Sequence, residues 1–163
     1  MEGHPLTPLV SGALASFTLV REVKAPPETV FDVLTDHRRY AEISRLRKSE
    51  LEREGEPAPN GVGAIRVLTA VGPPIREEVV VYERPSRFSY KVLSGLPVRD
   101  HLGTVSLEPS DGGTRVTYAL KAIPTVPLAG KVAMLLLQRA VKELLDGVVS
   151  ESERRTAAAV PAA

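Results

Sequence analysis

The chain has 163 residues, 43% hydrophobic and 25% charged, with a formal net charge of +1. That length suits one domain with a substantial core, and near-neutral charge without a run of Lys or Arg argues against a nucleic-acid binder. No cysteine is present, which excludes disulfides, thiolate metal sites and a cysteine nucleophile and fits a cytoplasmic protein.

The opening MEGHPLTPLVSGALASF places Glu2 and Pro5 where a secretory leader needs positive charge. Residues 1–15 therefore read as a flexible arm, 16–155 as a single domain and 156–163 as a frayed tail. FTLVREV at 17–23 alternates as a strand. APPETVFDVLTD follows as a short helix: Pro26 and Pro27 are tolerated in its first turn, and Glu28 complements its positive end. A second short helix is expected at 38–43. Six strands come next, at about 46–54, 62–71, 75–83, 87–94, 98–108 and 114–123. The turns between them are EGEPAPNG, GPP, RPS, SGLP and SDGG. Connections this short require antiparallel pairing. The last element, about 127–154, reads as a helix of roughly seven turns. Its longest apolar run, VAMLLL at 132–137, is too short to span a bilayer.

The expected fold is α+β: a curved antiparallel sheet of about seven strands around a long C-terminal helix. A sheet gripping one helix has an interior face to bury and tends to leave space between the two. VKAPPETVFDVLTDHRRYAEI (23–43), RPSRFSYKVLSGLPVRDHLGTVSLEPSDGGTRVTY (84–118) and the long helix together resemble the START/polyketide-cyclase superfamily, also called SRPBCC or birch-pollen-allergen-like. The resemblance spans about 17–154 and implies the helix-grip fold with an apolar cavity. It also implies a hydrophobic small molecule as partner, with lipids, sterols, hormones and polyketides as the superfamily's guests and cyclisation of a poly-ketone chain in a minority. The chain departs from its relatives at Tyr40-Ala41-Glu42-Ile43, where they often read Tyr-Pro-Glu-Trp, and it has no tryptophan.

Strand alternation selects the residues facing the cavity. Phe88, Tyr90 and Val92 share one face, as do Val116, Tyr118, Leu120 and Ala122. Gly103, Val105 and Leu107 are in phase with His101 and Arg99. Ile75, Val79 and Val81 are in phase with Glu77, which is read as a surface charge in preference to an inward acid. At 62–71 two sets compete, Arg66 with Ala64, Leu68 and Ala70 against Ile65, Val67 and Val71, and the pattern does not choose. The long helix contributes Ala133, Leu137, Ala140, Val141, Leu144 and Val148, with Arg139 and Glu143 facing water. Its first turns are apolar nearly all round through Leu128, Val132 and Leu135, and a covering loop is expected there.

The candidate pocket residues are thus Arg66, Glu77, Val79, Val81, Phe88, Tyr90, Val92, Arg99, His101, Val105, Val116, Tyr118, Leu137, Ala140 and Leu144. Arg99, Asp100 and His101 are consecutive, so a regular strand splits Asp100 from His101 across the sheet and breaks a triad-like reading. His37 is expected to face solvent, and three scattered histidines lack metal-ligand spacing. No catalytic residue, cofactor or metal is expected. The favoured function is binding or carriage of a hydrophobic small molecule, by a monomer or homodimer without membrane insertion. The alternatives are a cyclase in which Arg66, Tyr90, His101 and Tyr118 grip a poly-ketone, and an interaction protein with a filled cavity.

Overall fold

The structure is a computed structural model that describes residues 12–161; most of the expected N-terminal arm lies outside this range. In chain order the elements are β1 (Ala15–Val23), α1 (Pro27–Thr35), a 3₁₀ turn (His37–Arg39), α2 (Tyr40–Ile43), β2 (Lys48–Arg53), β3 (Ile65–Thr69), β4 (Ile75–Glu83), β5 (Arg87–Ser94), β6 (Val98–Ser110), β7 (Gly113–Pro124) and α3 (Pro127–Ala159). The seven strands form one antiparallel sheet in the order β1-β7-β6-β5-β4-β3-β2. Helix α3 packs across its inner face, against α1 and β1.

Helix α1 starts as its sequence dictates, with Pro27 in the first turn and Glu28 beside it. It buries Val30, Phe31, Val33 and Leu34, each worth about 1.5–3 kcal/mol of burial. The main core joins these to Val79, Phe88, Val105, Leu107, Val116 and Leu120 from the sheet and Met134, Val141, Leu145 and Val148 from α3.

Two β-bulges redirect side chains that plain alternation assigned. In β4, Val79 pairs with Tyr90 but Val81 with Ser89 and Tyr82 with Phe88. The extra residue puts Val81 on the outer face, so it is not a cavity residue, and turns Tyr82 inward onto Phe31 at 5.0 Å between ring centroids. In β6, Arg99 pairs with Ile123 and Leu102 with Lys121, so Asp100 and His101 together oppose Ala122. Asp100 takes up the irregularity at φ 50°. Arg99 consequently shares the outer face with Ile123 and is exposed, while His101 is buried.

Other expectations also change. Helix α3 continues to Ala159 rather than fraying from 156. Its buried stripe is turned toward Met134 and Leu145, leaving Ala140 exposed. Among the described residues nothing covers its first turns: Leu128 is 77% exposed, Val132 51%, Leu135 67% and Leu136 64%. Near the middle of the helix, α2 crosses so closely that a Cβ on Gly147 would lie 1.8 Å from the Ile43 carbonyl oxygen.

Candidate functional site

Between α3, the α2–β2 connection and the inner face of β3–β5 lies a cavity of about 170 Å³. Its apolar wall comes from Leu46, Leu68, Ala70 and Ile75 on one side and Leu137, Ala140, Val141 and Leu144 of α3 on the other. Ser44, Arg45 and Glu143 stand among its lining residues, and Arg66, Glu77, Tyr90 and Tyr118 supply a polar wall.

Arg66 organises that wall. Strand β3 pairs it with Glu77 of β4, and Nε donates to Glu77 Oε2 at 2.7 Å. Nη1 donates to the Tyr40 hydroxyl at 2.9 Å and lies 3.2 Å from His37 Nδ1. The guanidinium carbon stands 4.3 Å from the Tyr90 ring centroid and 5.4 Å from that of Phe88, a cation–π arrangement. Both members of the ion pair are buried, Arg66 at 1% and Glu77 at 4% exposure. The Tyr40 hydroxyl in turn donates to the Leu34 carbonyl oxygen, so its one proton is used. Nη2 of Arg66 and Oε1 of Glu77 have no hydrogen-bond partner among the described residues.

Burial sets the ionisation of the surrounding groups. It pushes the Glu77 carboxyl up, against the pull of Arg66, and raises the phenols of Tyr40, Tyr90 and Tyr118. For Arg66 burial opposes the charge, but attraction to Tyr40 and Glu77 outweighs it and keeps the guanidinium protonated. Burial lowers His37 well below its ordinary value, with Arg66 adding repulsion. Neutral His37 can then accept the Arg66 proton at Nδ1, which leaves Nε2 protonated and without a partner.

The Tyr90 and Tyr118 hydroxyls bond each other. One proton is consumed by that bond and the second remains free to donate. Tyr90 owes its position to Gly103, its pairing partner on β6: a Cβ there would come within 2.5 Å of the ring. His101 lies on the far side of Tyr90, with ring centroids 5.4 Å apart, outside the cavity lining. Both its ring nitrogens lack partners, and burial with Arg66 repulsion lowers its pKa to about 4. No carboxylate orients it.

The structure thus brings Arg66, Glu77, Tyr90, Tyr118, Leu137, Ala140 and Leu144 together around one cavity. Val79, Phe88, Val105 and Val116 are buried in the core behind it, and Val92, paired with Glu77, is half-buried. Val81 and Arg99 are on the outer face. Glu77 is an inward acid rather than the surface charge that was favoured. His37 is fully buried at 0% exposure rather than facing solvent. His37 and Tyr40 were missed as members of the polar wall; the signal was their three-residue spacing, which puts both near Arg66 from one turn of chain. Among the described residues no group of His, Asp and Glu has the arrangement of a metal site.

A curved sheet gripping a long helix over a partly polar cavity defines the helix-grip class of ligand-binding folds. The family profile described as polyketide cyclase / dehydrase and lipid transport matches residues 15–153, and the chain belongs to that family. Among solved structures it is similar to Ara h 8.0201, with 14% identity and TM-score 0.69 over 85% of this chain and 97% of that one. A Thalictrum flavum norcoclaurine synthase point mutant in complex with a transition-state analogue gives 15% identity and TM-score 0.71 over 90% and 98%. The di-domain ARO/CYC StfQ from the steffimycin biosynthetic pathway gives 14% and 0.73 over 88% of this chain and 52% of its own, so this chain spans about half of it. These likenesses are of fold. A search of the curated proteins returned no match.

Proposed function

We propose that the protein binds a hydrophobic small molecule whose one oxygenated end, a carbonyl or hydroxyl, meets the wall formed by Arg66, Tyr90 and Tyr118. The observation that carries this reading is a largely apolar cavity with one wall of incompletely satisfied polar groups. Arg66 Nη2 and the spare tyrosine proton are donors, and Glu77 Oε1 is an acceptor. A largely apolar cavity with such groups favours a guest that completes their hydrogen bonds. The volume of about 170 Å³ is below the roughly 300–1,000 Å³ of pockets for drug-sized ligands. A guest larger than one or two rings must therefore leave part of itself at the mouth, or displace the α2–β2 connection. The cysteine-free composition supports a cytoplasmic setting.

Mass spectrometry of lipophilic extracts from the purified protein tests this directly, alongside thermal shifts with fatty acids, sterols and aromatic polyketides. A co-purifying oxygenated apolar molecule, displaced in Arg66→Met, is the expected result. No extractable ligand and no shift with any panel member would defeat the proposal.

A second reading, a polyketide cyclase, is supported by the convergence of the Arg66 guanidinium and two phenols on one end of the cavity. Donors fixed there can stabilise the oxyanion that develops when a ketone carbon is attacked by a neighbouring enolate carbon. Incubation with a poly-ketone analogue separates the readings. Ring closure with loss of water, abolished in Tyr118→Phe while binding persists, favours the enzyme; binding without turnover favours the carrier.

A further inference from the structure

We propose that the first three turns of α3 dock on an anionic lipid surface, with the cavity mouth facing the bilayer. At 100° per residue, Leu128, Lys131, Val132, Leu135, Leu136 and Arg139 fall on one stripe of the helix, pointing away from the sheet. The four aliphatic members are all more than half exposed, an unusual concentration for a chain whose inner helix face is already satisfied. Lys131 and Arg139 are exposed within the same stripe.

The charge along the stripe is mostly positive. From residue 116 to residue 138 the chain carries Lys121 and Lys131 and no acid, and Arg139 closes the stripe. The first carboxylate along the helix, Glu143, is held between Arg139 and Arg45, at 3.6 Å from each. The turn between β3 and β4 opens at the same end of the sheet and raises Val71, 90% exposed.

Aliphatic side chains with interspersed cations and no aromatic anchor match a lipid interface, where the apolar groups enter the acyl boundary and the cations meet headgroups. A protein partner is a poorer match, because protein interfaces favour aromatic residues and arginine and are depleted in lysine. A second copy is poorer still: an isologous contact through this stripe would set Lys131 and Arg139 of the two copies against each other. The stripe is also continuous with the cavity. Ala140, one turn beyond Leu136, is exposed and lines the cavity at once, so a guest leaving the mouth would enter lipid without crossing water. Docking itself does not depend on what the cavity holds; only its use for ligand exchange rests on the function proposed above.

The test is flotation of the full chain with vesicles of phosphatidylcholine alone and of phosphatidylcholine with about a third phosphatidylglycerol. Binding is expected to the anionic vesicles, weakened by salt. Lys131→Gln with Arg139→Gln should lower it about twenty-fivefold, since each cation contributes about fivefold. Leu135→Gln with Leu136→Gln should lower it tenfold or more. These positions are exposed, so thermal midpoints should stay unchanged. The proposal is overturned if wild-type protein stays with neither vesicle, or if the variants bind as wild type does. It is equally overturned if the leucine substitutions instead abolish a concentration-dependent dimer, or if binding appears only after deletion of residues 1–11. Displacement of a fluorescent apolar probe from the cavity, measured without vesicles, keeps the two proposals distinguishable: probe binding without flotation defeats docking alone.

Discussion

Replacing Arg66 by methionine keeps much of the side-chain volume but removes the cation from the centre of the polar wall. Glu77 then sits at 4% exposure without its partner, and Tyr40 and His37 lose a donor. Breaking a buried pair by deleting one member costs about 3–5 kcal/mol. At about 2–4 °C per kcal/mol for a domain of this size, the thermal midpoint should fall by roughly 6–20 °C near pH 8. The loss should carry a pH signature. Burial already holds Glu77 above the ordinary value of 4.5 while Arg66 opposes it, so without Arg66 the folded-state pKa rises further. A carboxyl whose folded pKa exceeds its unfolded one favours the native state at low pH, and that contribution is lost as pH rises through the folded value. The variant should therefore lose about 1.4 kcal/mol per pH unit above the unfolded pKa until the folded pKa is passed, and its deficit should be smallest near about pH 5. Urea unfolding followed by circular dichroism, on wild type, Arg66→Met, Glu77→Gln and the double variant, measures this, and the double variant should be less damaged than the two singles summed. An Arg66→Met protein within about 1 kcal/mol of wild type at pH 8, with no added pH slope, would refute the argument: Glu77 would then be solvated through the cavity.

His101 gives the opposite pH dependence. Its folded pKa of about 4 lies below the ordinary 6.5, so its contribution is complete above pH 6.5 and is lost as pH falls through 4. This is worth about 3 kcal/mol at most. His101→Leu should flatten the acid limb of a stability–pH curve from urea unfolding, and an unchanged limb would show that His101 protonates freely. Gly103→Ala drives a methyl into the Tyr90 ring and should cost about 1–3 kcal/mol while separating the two phenols; a near-ultraviolet dichroism spectrum identical to wild type would contradict this. Gly147→Ala gains about 1 kcal/mol of helix propensity, yet its methyl meets the Ile43 carbonyl of α2, which cannot rotate away. A lowered thermal midpoint is expected, and a raised one would mean that α2 yields.

The sequence exposed most of the architecture because β5 and β7 alternate without interruption, so Phe88, Tyr90, Val116 and Tyr118 could be assigned inward by phase alone. Alternation failed where the backbone departs from it. The bulge at Asp100 moves Arg99 outward, and the one in β4 exchanges Val81 for Tyr82; neither leaves a glycine or proline signature at its own position. Arg66 could not be assigned because both faces of β3 look apolar. Ile65 is outward-facing yet only 7% exposed, beside the Arg53–Glu78 ion pair. His37 was misplaced because Asp36, Arg38 and Arg39 surround it with solvent chemistry, whereas the 3₁₀ turn points that one side chain inward. The exposed start of α3 ran against the expectation that greasy surface is covered, because no described segment of the chain returns to that end of the helix.

The sheet has two rims, β1 and β2, each presenting backbone groups with no neighbouring strand among the described residues. β2 reads KSELER, and Lys48–Glu50, Glu52–Arg76 and Arg53–Glu78 pairs run along it, so a foreign strand approaching there must strip charges of water. The first six residues of β1, ASFTLV, carry no charge. If copies add strand to strand, β1 is the expected edge, and its amides should be the ones that gain hydrogen-exchange protection in early aggregates. With only the β1 rim uncharged, strand addition between two copies would close as a β1–β1 pair rather than extend.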